Sequence, residues 1–319
     1  MHPDVNHPNE PKTMISNACN RREFLRCAIT AGAGANLVGT AGLWAADAPT
    51  AKRVKLSTPN AEKLGWQICC QLYTFRDRTF YEAIAVIGDM GVRCVEPCFF
   101  LPLSKERPDL KTCEALSPDQ RREMRQRLGD LGMRMPNYYA PIEGDESKYR
   151  KVFDFAKEMG VQTLVAEPPP EKLKTLDGLC QEYKINLAVH NHWEGSGSNY
   201  WNPDTLMKAA EGCSARIGAC PDTGHWVRSG LDTVESLKKY HKRILAVHLK
   251  DAAQSGKRDS RDVPLGTGQG NYAALLKLFL DWKWKGVMTI EYERLSPQLV
   301  PDVIQCVKFV EDFATNARK

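Results

Sequence analysis

Ionisable side chains fall at the ends of short apolar, β-prone runs along this chain. Glu96, Glu167, His190-Asn191-His192, Asp222-Thr223-Gly224-His225, His248-Leu249-Lys250-Asp251 and Glu291 all stand in such places. Gathered on one rim, these groups would repel and desolvate one another unless something compensates them. A divalent cation is the simplest compensator. Two imidazoles, His190 and His248, with two carboxylates, Asp222 and Glu291, suit Mn²⁺ best. Co²⁺, Zn²⁺, Fe²⁺ or Mg²⁺ are alternatives, and Ca²⁺ is a poor match. By strand alternation His192 points the same way as His190, so either can be the ligand from that strand, and His190 is the expected one. A lone strand-end His or Asp is ordinarily a hydrogen-bonded or helix-capping residue. The joint pattern is what points to a metal.

The elements that must position these groups alternate regularly after residue 60. Strands are expected at 67–72, 93–97, 134–137, 163–166, 186–190, 216–220, 244–248 and 288–291. Amphipathic helices are expected near 79–90, 118–131, 146–159, 171–183, 203–212, 231–240, 271–283 and 298–314. Eight βα units imply parallel strands with right-handed crossovers, and in about 250 residues they imply a closed (β/α)8 TIM barrel. Function in such a barrel sits at the C-terminal strand ends, where these ionisable groups lie. Gly91, Gly132 and Gly160 fall where left-handed helix caps are wanted, and Ser117-Pro118 and Asn202-Pro203 read as helix starts. The first strand is followed by Tyr73-Thr74-Phe75-Arg76 rather than a glycine-rich turn, which argues against a dinucleotide fold.

Asp222-Thr223-Gly224-His225, Val247-His248-Leu249-Lys250-Asp251 and Thr289-Ile290-Glu291 resemble the signature strands of the xylose-isomerase-like TIM-barrel superfamily. The resemblance covers roughly residues 64–315 and includes the loop Pro264-Leu265-Gly266-Thr267-Gly268-Gln269-Gly270. It implies ligands in the order Glu, Asp, His, Glu. Asp222, His248 and Glu291 match the last three, and His190 stands where the first Glu is expected. The activity implied is a metal-dependent sugar isomerase or epimerase, acting on a keto-sugar or polyol-derived ketone through a metal-stabilised enediolate. Glu291 would be ligand and base, with His190, His192 or Glu167 on the opposite face. His225 and Lys250 would act as acids or hold substrate oxygens, or His225 would orient Asp222. Glu96 and Trp193 would contact substrate, although Glu96 can instead pair with Arg93. Tyr73, Phe75, Tyr200, Trp201 and Trp226 are further candidates for stacking on a sugar ring. The lost strand-end Glu keeps a second class open: a lyase, dehydratase or hydratase acting on 3-keto-glycosides or inosose-like substrates. An endonuclease-IV-type DNA enzyme and a non-catalytic sugar-binding barrel are further alternatives.

The 319 residues are 42% apolar and 26% charged, the balance of a globular protein. The net charge of +5 is dispersed, with no basic run of the kind that tracks nucleic acid. Residues 1–48 differ in kind from the barrel expected over 60–316. Arg21-Arg22-Glu23-Phe24-Leu25 precedes an uncharged, Ala/Gly-rich run from Cys27 to Ala46, and Ala46-Asp47-Ala48 offers a cleavage site. That arrangement resembles a twin-arginine export signal and implies passage through the twin-arginine translocation machinery to the periplasm. The partner expected in addition is a small carbohydrate. No nucleic acid is expected, and a homo-oligomer is left open. Cys69, Cys70, Cys94, Cys180 and Cys306 lie in apolar runs and read as small core residues. A disulfide involving Cys213 and Cys220 is an alternative use of the thiols.

Overall fold

The structure, a computed structural model, describes residues 55–317. The twin-arginine segment lies outside the described residues. The strands are β1 (Trp66–Gln71), β2 (Val95–Glu96), β3 (Asn137–Tyr139), β4 (Thr163–Ala166), β5 (Asn186–His190), β6 (Ile217–Cys220), β7 (Ala246–Leu249), β8 (Asp251–Ala252), β9 (Asp262–Val263) and β10 (Gly286–Ile290). The α-helices are α1 (Pro59–Leu64), α2 (Phe80–Met90), α3 (Pro118–Asp130), α4 (Glu146–Met159), α5 (Leu173–Tyr183), α6 (Pro203–Ala209), α7 (Thr223–Arg228), α8 (Thr233–Tyr240), α9 (Tyr272–Asp281) and α10 (Leu299–Asn316). Among the described residues, no helix is long and apolar enough to cross a membrane.

Local chemistry starts the helices. Thr79 and Glu82 close a capping box on α2, and Ser117 and Gln120 close another on α3. Gly91 and Gly160 end α2 and α4 in the left-handed region, as their positions lead one to expect, and Gly132 also has positive φ. The inner strands are buried on both faces. Thr163–Ala166 and Ile217–Cys220 are wholly buried, which is why they read as continuous apolar runs rather than alternating ones.

The closed eight-stranded ring expected from the sequence is not continuous. The strands form two four-stranded parallel sheets, ordered β2-β1-β10-β7 and β3-β4-β5-β6. Isolated bridges alone span the seams: Cys94 to Arg134 and Cys98 to Tyr139 on one side, Ala219 to Ile244 and Asp222 to His248 on the other. Each seam carries prolines, which cannot donate to a ladder: Pro97 and Pro136 at the first, Pro221 at the second. Pro136 also moves the third strand from the expected 134–137 to Asn137–Tyr139, while its carbonyl still accepts from Gln162 and Thr163.

Three other expectations change. Cys213 and Cys220 are both free, and the disulfide among the described residues joins Cys69 to Cys94. The β1–β2 register, with Cys70 opposite Val95, brings those two cysteines to adjacent positions 4.4 Å apart at Cα. Phe75, Tyr200 and Trp226 are fully buried core residues and do not line the rim. Finally, α1, α7 and the β8–β9 hairpin had no counterpart in the expected pattern. The hairpin and the glycine-rich loop close around Asp251, whose carboxylate accepts backbone N–H groups from Ala252, Gly266, Gly268 and Gly270 at 2.9–3.0 Å. A Cβ added at Gly268 would lie 2.5 Å from Asp251 Oδ1, so only glycine lets the loop approach this closely.

Candidate metal centre

Register brings the strand-end groups together. His190 pairs with Cys220 across β5–β6, Asp222 bridges to His248 across the second seam, and Thr289 pairs with His248 across β7–β10. Glu291 follows two residues after Thr289. As a result His190, Asp222, His248 and Glu291 present ligand atoms all within 4.8 Å of one another, and all four residues are buried. His190 Nε2 is 3.5 Å and His248 Nδ1 is 4.0 Å from Asp222 Oδ2, while His248 Nδ1 lies 2.9 Å from Glu291 Oε2.

The donor set fits a divalent ion on two grounds. His190 Nε2 is buried without a hydrogen bond, although buried polar atoms normally have one, and Asp222 Oδ2 beside it has no hydrogen bond and meets the Lys250 ammonium as an ion pair at 3.0 Å. Two ring nitrogens and two carboxylates also match the preferences of Mn²⁺, Fe²⁺ and Zn²⁺. Asp222 has a second task. Its Oδ1 accepts from the His225 backbone N–H at 2.9 Å and caps α7, which turns Oδ2 toward the cluster.

The remaining groups take several places. Glu167, at the end of β4, forms a separate cluster with His190 and His192 and meets Nδ1 of both rings through one oxygen. Burial would raise the Glu167 pKa, but the charge of His192 and hydrogen bonds from both histidines outweigh it and hold it well below the usual carboxylate range. Glu96 lies behind His248 rather than at the rim. Its Oε1 meets His248 Nε2 at 2.7 Å, and its Oε2 accepts from Asn137 and Thr289 at 3.2 and 3.0 Å. Arg93 does not pair with it and bonds the Gly88 carbonyl instead. Trp193 packs against His225 with ring centroids 5.1 Å apart, and His225 stacks on His192 at 4.8 Å.

Lys250 is wholly buried, 3.0 Å from Asp222 Oδ2, 3.2 Å from Glu291 Oε2 and 2.9 Å from Glu293 Oε1. Burial opposes its charge, yet Asp222, Glu291 and Glu293 prevail and hold the ammonium well above the ordinary lysine range. Burial, reinforced by Lys250, pushes the His225 imidazole well below its usual value against the pull of Asp222, so it is neutral. Sequence reasoning missed Glu293, Arg228 and Asp262. Arg228 joins Glu293 at 2.7 Å to Asp262 at 2.5 Å. One signal was available: Glu293 is two residues beyond Glu291, on the same side of an extended segment. Arg228, on a short helix the sequence did not disclose, had no comparable signal.

Two parallel sheets with a buried two-His, two-carboxylate cluster at the C-terminal ends of their strands define a class of α/β proteins competent to hold a metal ion. Within that class, the Xylose isomerase-like TIM barrel family matches residues 84–309, and the chain belongs to it. Members of this family are enzymes. An inosose dehydratase from Clostridium perfringens is 28% identical over 138 residues, covering 39% of this chain and 46% of the relative. The chain thus spans about half the length of the curated relatives it matches. A solved structure of an uncharacterised protein from Parabacteroides distasonis covers 78% of this chain and 99% of its own, at 25% identity and a TM-score of 0.63. The IolI protein, solved with a bound zinc atom, covers 78% of this chain and 98% of its own, at 16% identity and a TM-score of 0.57.

Proposed function

We propose that this chain is a divalent-metal-dependent carbon–oxygen lyase of the dehydratase type, acting on a keto-polyol or keto-sugar. One observation carries the reading. The β5 end, where the resemblance calls for a carboxylate, bears His190, and its Nδ1 is taken up by Glu167. The cluster therefore offers Glu291 as its carboxylate base without a matching carboxylate opposite. A one-base elimination needs no such partner, whereas two-carboxylate epimerisation does. The sequence similarity to inosose dehydratases supports the same class.

A bound divalent ion would polarise a substrate carbonyl and its neighbouring hydroxyl, easing removal of the adjacent C–H proton. His190, Asp222, His248 and Glu291 would hold it. Glu291 Oε2 faces His248 and Lys250, which leaves Oε1 to accept that proton. His192, partly exposed and backed by Glu167, would protonate the departing hydroxyl from Nε2. Neutral His225 and the Lys250 ammonium lie buried beside the cluster, where Lys250 balances the charge of Asp222, Glu291 and Glu293. Trp193 forms an apolar wall next to His192.

The isomerase or epimerase reading stands second. His192 favours it, because a partly exposed imidazole can serve as the second base. Incubation of the Mn²⁺-loaded protein with 3-keto-glycosides, inososes and free ketoses separates the two. Loss of water or aglycone by mass supports the lyase. Unchanged mass with inverted or migrated stereochemistry overturns it in favour of the isomerase. The twin-arginine motif supports export of the folded protein, so unphosphorylated sugars are the substrates we favour.

A further inference from the structure

The two histidines of the cluster do not present the same ring nitrogen. His190 turns Nε2 inward, toward Asp222 Oδ2 at 3.5 Å, and that atom is buried without a hydrogen bond. Its Nδ1 meets Glu167 Oε1 at 2.8 Å. His248 is reversed. Its Nδ1 is hydrogen-bonded to Glu291 Oε2 at 2.9 Å within the cluster and lies 4.0 Å from Asp222 Oδ2, and its Nε2 meets Glu96 Oε1 at 2.7 Å on the far side of the ring. A neutral imidazole carries one N–H and one lone pair, and the hydrogen bond made by the nitrogen that faces away from the cluster decides which atom is left to ligate.

We propose that Glu167 and Glu96 are positioning residues that lock His190 and His248 in opposite tautomers, so that His190 ligates a divalent metal through Nε2 and His248 through Nδ1. The inference rests on the metal centre of the proposed function but not on which reaction it performs.

Placement supports the assignment. Each carboxylate comes from a different strand than the imidazole it holds: Glu167 from the end of β4 beside His190 on β5, Glu96 from β2 behind His248 on β7. Glu96 cannot turn away, because Asn137 and Thr289 grip its other oxygen. Glu167 holds two rings with one oxygen, since His192 Nδ1 is bonded there as well. A carboxylate accepts readily from two N–H groups. His190 Nε2 is left without a hydrogen bond while Nδ1 is taken by Glu167, and His248 Nδ1 meets only a carboxylate of the cluster itself, so the nitrogen held from outside the cluster is Nδ1 in one ring and Nε2 in the other. Neither carboxylate then needs to touch substrate to matter. Each would fix ring orientation and raise ligand basicity, a role whose loss typically costs about 10- to 100-fold in metal affinity.

The test uses the full chain loaded with zinc, which is diamagnetic. Long-range ¹H–¹⁵N spectra of histidine-labelled protein report which ring nitrogen is protonated and which is metal-bound. We expect one ring bound through Nε2 with a proton on Nδ1, and one bound through Nδ1 with a proton on Nε2. Zinc affinity, read by competition with a chromophoric chelator, should fall about 10- to 100-fold in Glu167→Ala. It should recover in part in Glu167→Gln, whose amide oxygen still accepts. Both rings bound through the same nitrogen would overturn the inference, as would wild-type zinc affinity in Glu167→Ala. Zinc failing to bind the wild-type chain at all would overturn the metal centre itself. Because the spectra are taken on wild type, the inference stays testable even where a Glu96 variant does not fold.

Discussion

Lys250 shows how a single residue balances this site. Its ammonium is buried among Asp222, Glu291 and Glu293, three carboxylates that would otherwise repel one another. Removing one partner from a buried charge cluster typically costs about 3–5 kcal/mol. Lys250→Met should therefore lower the unfolding free energy by about that amount in chelator-treated protein. Zinc should restore much of it, because a divalent ion near Asp222 and Glu291 supplies the missing positive charge. Denaturant titrations with and without zinc check this. The zinc-induced gain should be larger in the variant than in wild type, and an equal or smaller gain would refute the compensating role. The position of Lys250 was legible in the sequence and its partners only in part. Asp222 and Glu291 fell at expected strand ends. Glu293 lay just past one, and nothing local marked it as a partner.

Among the elements, α2 carries the clearest coupling between a cap and pH. Thr79 and Glu82 form its capping box, and Glu82 also meets Lys105 at 2.5 Å. Lys105 first, and the Thr79 backbone second, draw the Glu82 pKa down from its ordinary 4.5 to about 2. A depressed carboxylate stabilises the fold above its unfolded pKa and loses that contribution as pH falls through the folded value. Glu82→Gln should thus melt below wild type at neutral pH. The gap in melting temperature should narrow below pH 4.5 and close near pH 2. A gap independent of pH would place the effect in packing rather than charge. Elements of this kind were the most readable part of the chain, because caps and period are local. Thr163–Ala166 and Asn186–His190 sit where their apolar runs put them. The third strand moved because Pro136 lacks a donor, and α7 was hidden because Asp222-Thr223-Gly224-His225 reads as a strand end rather than as a helix start.

At the scale of the whole molecule, the barrel is two four-stranded parallel sheets joined by isolated bridges, and one seam falls at Asp222 and His248. The cluster therefore straddles a seam. Its ligands come from both sheets, His190 from one and His248 and Glu291 from the other. The N-terminal motif raises a separate question of location. Replacing both Arg21 and Arg22 by Lys should leave the protein in the cytoplasm, whereas wild type should be recovered from the periplasm after cell fractionation. Equal periplasmic recovery of both would reject the twin-arginine route.

The sequence by itself determined the βα alternation, the capped helices and the four groups that converge, because each depends on period, turn chemistry or residue type along a short stretch. Only the tertiary structure decided what those groups face. Glu96 became the partner of His248, Glu167 the shared anchor of two histidines, and Glu293 and Arg228 members of a buried charge network. It also paired Cys69 with Cys94 instead of Cys213 with Cys220. These are contacts between strands far apart in the chain. They follow from register and from the prolines that interrupt the ring, which no local window of sequence contains.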